Sequence, residues 1–104
     1  MSYIEICTTT DNEKIALTIK DFLLSKKLSP CIQIISNINS SYIWNNENIT
    51  SREFLVKIKT TKKHKTKIIN KIKEIHNFDI PEIISYDISI ESQEYEKWLK
   101  QNME

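Results

Sequence analysis

The stretch HNFDIPEII, residues 76–84, sets His76 six residues ahead of Glu82 with Pro81 between them. An imidazole and a carboxylate are a metal-ligand pair or an acid–base pair when a fold brings them together. Cys7, Cys31 and His64 are the other soft or titratable candidates. Thiolate with imidazole suits copper or zinc, yet the cysteines form no CxxC pair and no local spacing closes a ligand set. Local structure accounts for much of the stretch. Asn77 and Asp79 can terminate a helix, Phe78 can fold back on the core, and Pro81 biases Ile80 toward extended geometry. Glu82 is the exception: at a strand start it is expected to be partly buried, where a carboxylate needs a lysine or histidine partner.

Several function classes are excluded or disfavoured by composition. The 104 residues contain no glycine, which rules out the Gly-rich phosphate loops of the Walker and dinucleotide types. No Ser-His-Asp pattern, paired-carboxylate spacing or nucleophile with an adjacent base occurs, so the chain is expected not to be an enzyme. Residues 57–73 hold eight lysines and no acid against a chain total of +1, so the remainder carries −7. That segregation invites a nucleic-acid reading. The βαββαβ RNA-binding module, however, stacks bases on aromatics of its central strands, and here the first candidate strand offers only Tyr3 while REFLVKIK, residues 52–59, lacks the glycine and the second aromatic. Specific nucleic-acid binding is not expected, and His64, among the lysines at a helix start, is expected to be solvated. Cys7 and Cys31 read as small apolar residues at strand ends in a reduced, cytoplasmic setting. No charged-then-apolar leader and no membrane-length apolar run is present, so no membrane association is expected.

The elements that must position these residues follow from periodicity. Twenty isoleucines against one valine favour pleated, half-buried surfaces, and the length suits one domain over residues 1–104. YIEICTT, residues 3–9, reads as a buried strand, and Thr10-x-x-Glu13 as a capping box. Ile15, Ile19, Phe22 and Leu23 then give the stripe of an amphipathic helix ending near Lys27. From Cys31 to Trp44 the even positions 32, 34, 38, 42 and 44 are apolar or aromatic, Asn45-Asn46 offers a turn, and residues 49–59 return with Phe54, Val56 and Ile58 on one face. Without glycine, positive-φ turns are expected to fall on Asn or Asp. Strands of this length reach about 43 Å, against a radius of gyration near 13 Å for a domain of this size. The hairpin is therefore expected to protrude, and its exposed aromatics to drive oligomerisation. Thr60 or Thr61 is expected to cap a second helix with Ile68, Ile69, Ile72 and Ile75 inward. Residues 81–90 alternate as a strand, and Ser92 starts a last helix bearing Tyr95, Trp98 and Leu99. The order is βαββαβ with an extra C-terminal helix, an α+β, ferredoxin-like sandwich with both main helices on one face of an antiparallel sheet.

Several stretches, taken in order, resemble the CutA divalent-cation tolerance family: NEKIALTIKDFLLSKKLSPC at 12–31, SSYIW at 40–44, E-x5-KT from Glu53 to Thr60, His76 with PEI at 81–83, and Y-x2-WL at 95–99. The resemblance covers nearly the whole chain. It implies a ferredoxin-like protomer in a compact trimer, with long hairpins pairing across subunits as in the trimeric nitrogen-signalling proteins. It also implies tolerance of copper and other divalent cations, with copper binding in some members. Position by position it assigns a metal role to Cys31, His76 and Glu82, and a cleft between subunits to Tyr42, Trp44, Glu53 and Lys59. Three departures stand out: Asn77-Phe78 replaces a Pro-Tyr and removes a hydroxyl, Ser29-Pro30 replaces small alanines, and Asn46 stands where a glycine is common. The expectation is a cytoplasmic homotrimer that binds copper or another divalent metal ion and requires no cofactor. The rival is a structural or regulatory trimer whose clefts take a small anion or a partner protein.

Overall fold

The computed structural model, which describes residues 2–104, contains β1 (Tyr3–Thr10), α1 (Glu13–Ser25), β2 (Cys31–Trp44) and β3 (Glu47–Thr61). A 3-10 turn (Lys62–His64) then leads into α2 (Lys65–Ile75), β4 (Ile83–Ile88) and α3 (Gln93–Gln101). The four strands form one antiparallel sheet in the order β2-β3-β1-β4, the ferredoxin-like arrangement.

Strand β1 is buried along its entire length, between β3 and β4. Its period of two divides the sheet into faces. Ile4 and Ile6, with Val56 and Ile58 of β3, meet Ala16, Ile19 and Leu23 of α1 and Ile68 and Ile72 of α2 in a single core. Each such isoleucine contributes roughly 1.5–3 kcal/mol through burial. Tyr3, Glu5, Cys7 and Thr9 point to the opposite face, and they too are buried.

The expected Asn45-Asn46 turn is present, with φ of 51° and 65°, the left-handed pair that a two-residue hairpin needs. Not every positive φ falls on Asn, however. Lys27 has φ 54° and ends α1 in a Schellman motif, with Leu28 N donating to Leu23 O at 3.0 Å and Lys27 N to Leu24 O at 3.2 Å. Leu28 and Leu23, both buried, make the apolar contact that accompanies this motif, and packing outweighs the local cost of a lysine there.

Three helix starts differ from expectation or confirm it. The α1 N-cap is Asn12, whose side chain accepts from Lys14 N, because Thr10 Oγ1 is already committed to Asn77 and Asn12 N. Neither Thr60 nor Thr61 caps α2: Thr60 Oγ1 donates to Leu28 O, and the 3-10 turn intervenes. Ser92 caps α3 as expected, accepting from Tyr95 N.

The even positions of β2 do not share one face. A bulge between Ile35 and Ile38, with Asn37 at φ 63°, shifts the register. Ile32 and Ile34 pair with Ile58 and Val56 on the helix side, whereas Ile38 pairs with Glu53 and Tyr42 with Ile49, on the other side. Since β1 pairs with β3 only from Phe54 to Thr61, the remainder of the hairpin is a two-stranded ribbon that stretches the molecule to 46 × 25 × 21 Å. Replacing Lys27 by glycine relieves the left-handed penalty, less glycine's larger unfolded-state entropy. Lys27→Gly is expected to stabilise by about 0.5–1 kcal/mol, read as a higher urea midpoint; a lower midpoint contradicts this account of the α1 terminus.

Candidate functional site

Where the ribbon leaves the sheet, it faces the corner between α2 and β4. That corner is tied to the end of β1 through its side chains. His76 Nδ1 accepts from Phe78 N at 3.0 Å, so Nε2 carries the proton and donates to Thr9 O at 2.8 Å. Thr10 Oγ1 donates to Asn77 Oδ1 at 2.7 Å, and Asn77 Nδ2 to Asp11 Oδ1 at 2.9 Å. The fixed corner and the ribbon enclose a cleft of about 790 Å³, lined by Tyr42, Trp44 and Ile49 on one side and Phe78, Asp79, Ile80, Pro81 and Glu82 on the other. Glu53 lies at its base, only 3% exposed. Ser51 Oγ donates to Glu53 Oε2 at 2.8 Å, and the Tyr42 hydroxyl stands 3.5 Å from the same Ser51 oxygen.

A second polar cluster lies on the same face of the sheet, farther along β1, where Glu5 pairs with Lys59, two same-face positions from Thr9 at Leu55. Glu5, 4% exposed, receives Lys57 Nζ at 3.5 Å from Oε1 and Lys59 Nζ at 3.2 Å from Oε2, while the Tyr86 hydroxyl donates to Oε1. Burial raises the Glu5 carboxyl, but Tyr86, Lys59 and Lys57 together outweigh it and hold the group below its usual range. The same bond to Glu5, with burial, drives Tyr86 well above the ordinary phenol value. Burial pushes the Cys7 thiol up as well. Helix α3 brings Tyr95 beside Cys31, where burial and that thiol raise it to about 12.

The residues assigned from sequence therefore divide. Tyr42, Trp44, Glu53 and Glu82 line the cleft, and His76 supports it from behind. Lys59 is elsewhere, bonded to Glu5 and to Gln33 Oε1 at 2.8 Å. Cys31 shares Lys59's row on the far edge of the sheet, three strand spacings, about 14 Å, from Tyr86 of β4; Glu82 lies beyond the start of β4. Within one chain, Cys31, His76 and Glu82 cannot ligate one ion, and no three His, Cys, Asp or Glu residues among the described residues are grouped to hold a metal. Glu82 is exposed rather than partly buried, because β4 begins only at Ile83 and is an edge strand. His64, expected to be solvated, is 6% exposed, since the 3-10 turn folds it inward to bond the backbone oxygen of Glu104 at 2.8 Å. The Glu5 cluster was missed in the sequence, where a lone acid inside the apolar run YIEIC was its signal.

Because the folded Glu5 carboxyl is held low, its contribution is fully present above the unfolded value of about 4.3 and is lost as pH falls through the folded value. Glu5→Gln is expected to cost roughly 1–3 kcal/mol at neutral pH and to flatten the acid limb of unfolding free energy against pH. Parallel acid limbs for the two proteins contradict this.

Residues 4–102 match the family model described as CutA1 divalent ion tolerance protein. The chain is 31% identical over 97 residues to the divalent-cation tolerance protein CutA of Thermus thermophilus, covering 93% of this chain and 94% of that one. It spans 58% and 55% of the longer CutA relatives from Danio rerio and Oryza sativa. The solved structure of CutA1 from Oryza sativa superposes with a TM-score of 0.94 at 28% identity, covering 100% of this chain and 95% of that one. CutA1 from Ehrlichia chaffeensis gives 0.88 at 33% identity, over 95% and 92% of the two chains. With a family match over residues 4–102 and a relative 31% identical over 93% of the chain, this chain belongs to the CutA1 divalent ion tolerance protein family.

Proposed function

We propose that this protein works in the cytoplasm as a homotrimer that binds divalent metal ions, copper foremost, and that it acts by binding rather than by catalysis. The observation that supports the trimer is the ribbon. Beyond the last residue paired with β1 it carries Tyr42, Ile43 and Trp44 at 41%, 73% and 43% exposure. A two-stranded ribbon with such a tip is marginal in water until its edges and apolar side chains are covered. Further copies of the same chain cover them with complementary ribbons, and three copies close the arrangement without leaving an edge.

The metal reading rests on ligands that one chain holds apart. Both ring nitrogens of His76 are engaged within the chain, whereas Glu82 is exposed with no ion pair among the described residues and Cys31 is half-buried and unbridged. A site that uses Cys31 and Glu82 therefore takes them from different subunits, with a soft thiolate suited to copper.

Light scattering is expected to give three times the 12.3 kDa chain mass. Calorimetry is expected to show copper affinity lowered at least about tenfold, or 1.4 kcal/mol, by Cys31→Ser combined with Glu82→Gln at unchanged mass. A monomeric mass defeats the trimer, and unchanged copper affinity in the double variant defeats the metal site.

A further inference from the structure

Much of the lysine surplus of residues 57–73 gathers at one end of the molecule. There the end of α1, the 3-10 turn that opens α2 and the end of α3 surround two recesses of about 320 and 370 Å³. Lys62, Lys63 and Lys100 line the first, and Lys26, Lys27 and Lys67 the second. His64 and Glu104 border both and form the wall between them. That wall is tied on two sides, since His64 Nε2 lies 2.8 Å from the Glu104 backbone oxygen and Glu104 N donates to Lys27 O at 2.8 Å. Three carboxylates stand against the six lysines: Glu104 in the wall, Asp87 at 3.6 Å from Lys62 and Glu96 at 3.5 Å from Lys100. A surplus of three positive charges remains, more than a single carboxylate from another copy could neutralise.

The start of α2 adds to this charge. A helix N-terminus is the positive end of the dipole and usually carries a hydroxyl or an acid. Here neither the 3-10 turn nor α2 has a side-chain cap or an acid in its first turn, and Lys62, Lys63 and Lys65 crowd the site instead. Such an arrangement opposes the dipole, and an anion seated among the lysines relieves it. The position is also remote from the ribbon tip through which copies assemble. Strand β3 runs 15 residues from Glu47, beside the tip, to Thr61, beside the lysines, about 45 Å of strand. Lysine recognises phosphate as a point charge. Recesses on both sides of a wall suit a short flexible chain of phosphates that can bend over it, whereas a rigid duplex or a flat lipid surface reaches only the rim. We propose that this pole of the assembled protein binds a flexible polyphosphate anion, supplied either as an inorganic chain or as the phosphate tail of a nucleotide. This goes beyond the metal reading and does not depend on it.

The test uses the assembled, metal-free protein, so that copper plays no part. Tripolyphosphate, titrated by calorimetry, is expected to bind saturably, and more weakly as salt rises. Lys63→Gln with Lys67→Gln removes one exposed charge from each recess. It is expected to lower that affinity at least tenfold at unchanged mass and an equal or higher melting temperature. Lys14→Gln with Lys73→Gln removes the same charge from the far ends of α1 and α2, and is expected to change the affinity less than threefold. Limited lysine acetylation, read by mass spectrometry, is expected to reach Lys63 and Lys67 in the free assembly and to be blocked at both by saturating tripolyphosphate. ATP and adenosine separate the two sources. ATP that matches tripolyphosphate while adenosine fails to bind identifies the nucleotide tail, and ATP at least tenfold weaker identifies the inorganic chain. No saturable binding, equal changes in the two double variants, or Lys63 and Lys67 already shielded by another copy in the free assembly each overturns the proposal. A DNA duplex that displaces tripolyphosphate at equal charge concentration overturns it as well.

Discussion

The fold depends on one strand that is buried on both sides. Strand β1 runs between β3 and β4 with no exposed residue, so its even positions must satisfy the helices and its odd positions must satisfy whatever lies across the other face. Ile4 and Ile6 meet the first demand with isoleucines of the helices. Glu5 meets the second in an unusual way, since a carboxylate in a sheet centre is tolerable only with partners on both flanks. Lys57 and Lys59 reach it from β3 and Tyr86 from β4. The charge therefore ties three strands in one register, and a slip of one residue would place it in the apolar core.

The bulge in β2 converts that sheet into a site. Had the alternation of Ile32 and Ile34 continued, Ile38, Tyr42 and Trp44 would lie on the helix side. There the ribbon has outrun the helices and nothing could cover them. One extra residue, with positions 36 and 37 set against Phe54 alone, transfers these side chains to the face that carries Glu53. A device that bends the strand thus also aims its aromatics, and the chain achieves it without glycine by placing Asn37 in the left-handed region.

The features that were legible in the sequence are those set by local period and by side-chain chemistry within a turn. Isoleucine stripes marked the helices, Asn45-Asn46 marked the hairpin, and Ser92 marked α3. What was not legible depends on partners distant in the chain. Thr10 could not be known to lose its capping role until Asn77, sixty-seven residues on, came within 2.7 Å of it. His64 reads as a surface residue among lysines, yet the 3-10 turn inverts it. The bulge is invisible because both registers of β2 place apolar residues at even numbers. Of the site, the aromatics and Glu53 came from resemblance in order and spacing. The separation of Lys59 and Cys31 from the cleft came only with the sheet order.

His76 shows why spacing alone misleads. Six residues from Glu82, it looks like half of a ligand pair, but its ring spans the gap between the end of β1 and the turn after α2, accepting from Phe78 N and donating to Thr9 O. The ring also packs on Phe78, with centroids 5.0 Å apart. Its geometry is that of a brace: it fixes the direction in which Phe78 and Pro81 leave the helix, and so the position of one whole wall of the cleft. A leucine could fill the volume but could make neither bond, and a lysine could donate to Thr9 without accepting from Phe78. Neutral imidazole offers one donor and one acceptor on opposite sides of a rigid ring, and that is the combination this corner uses.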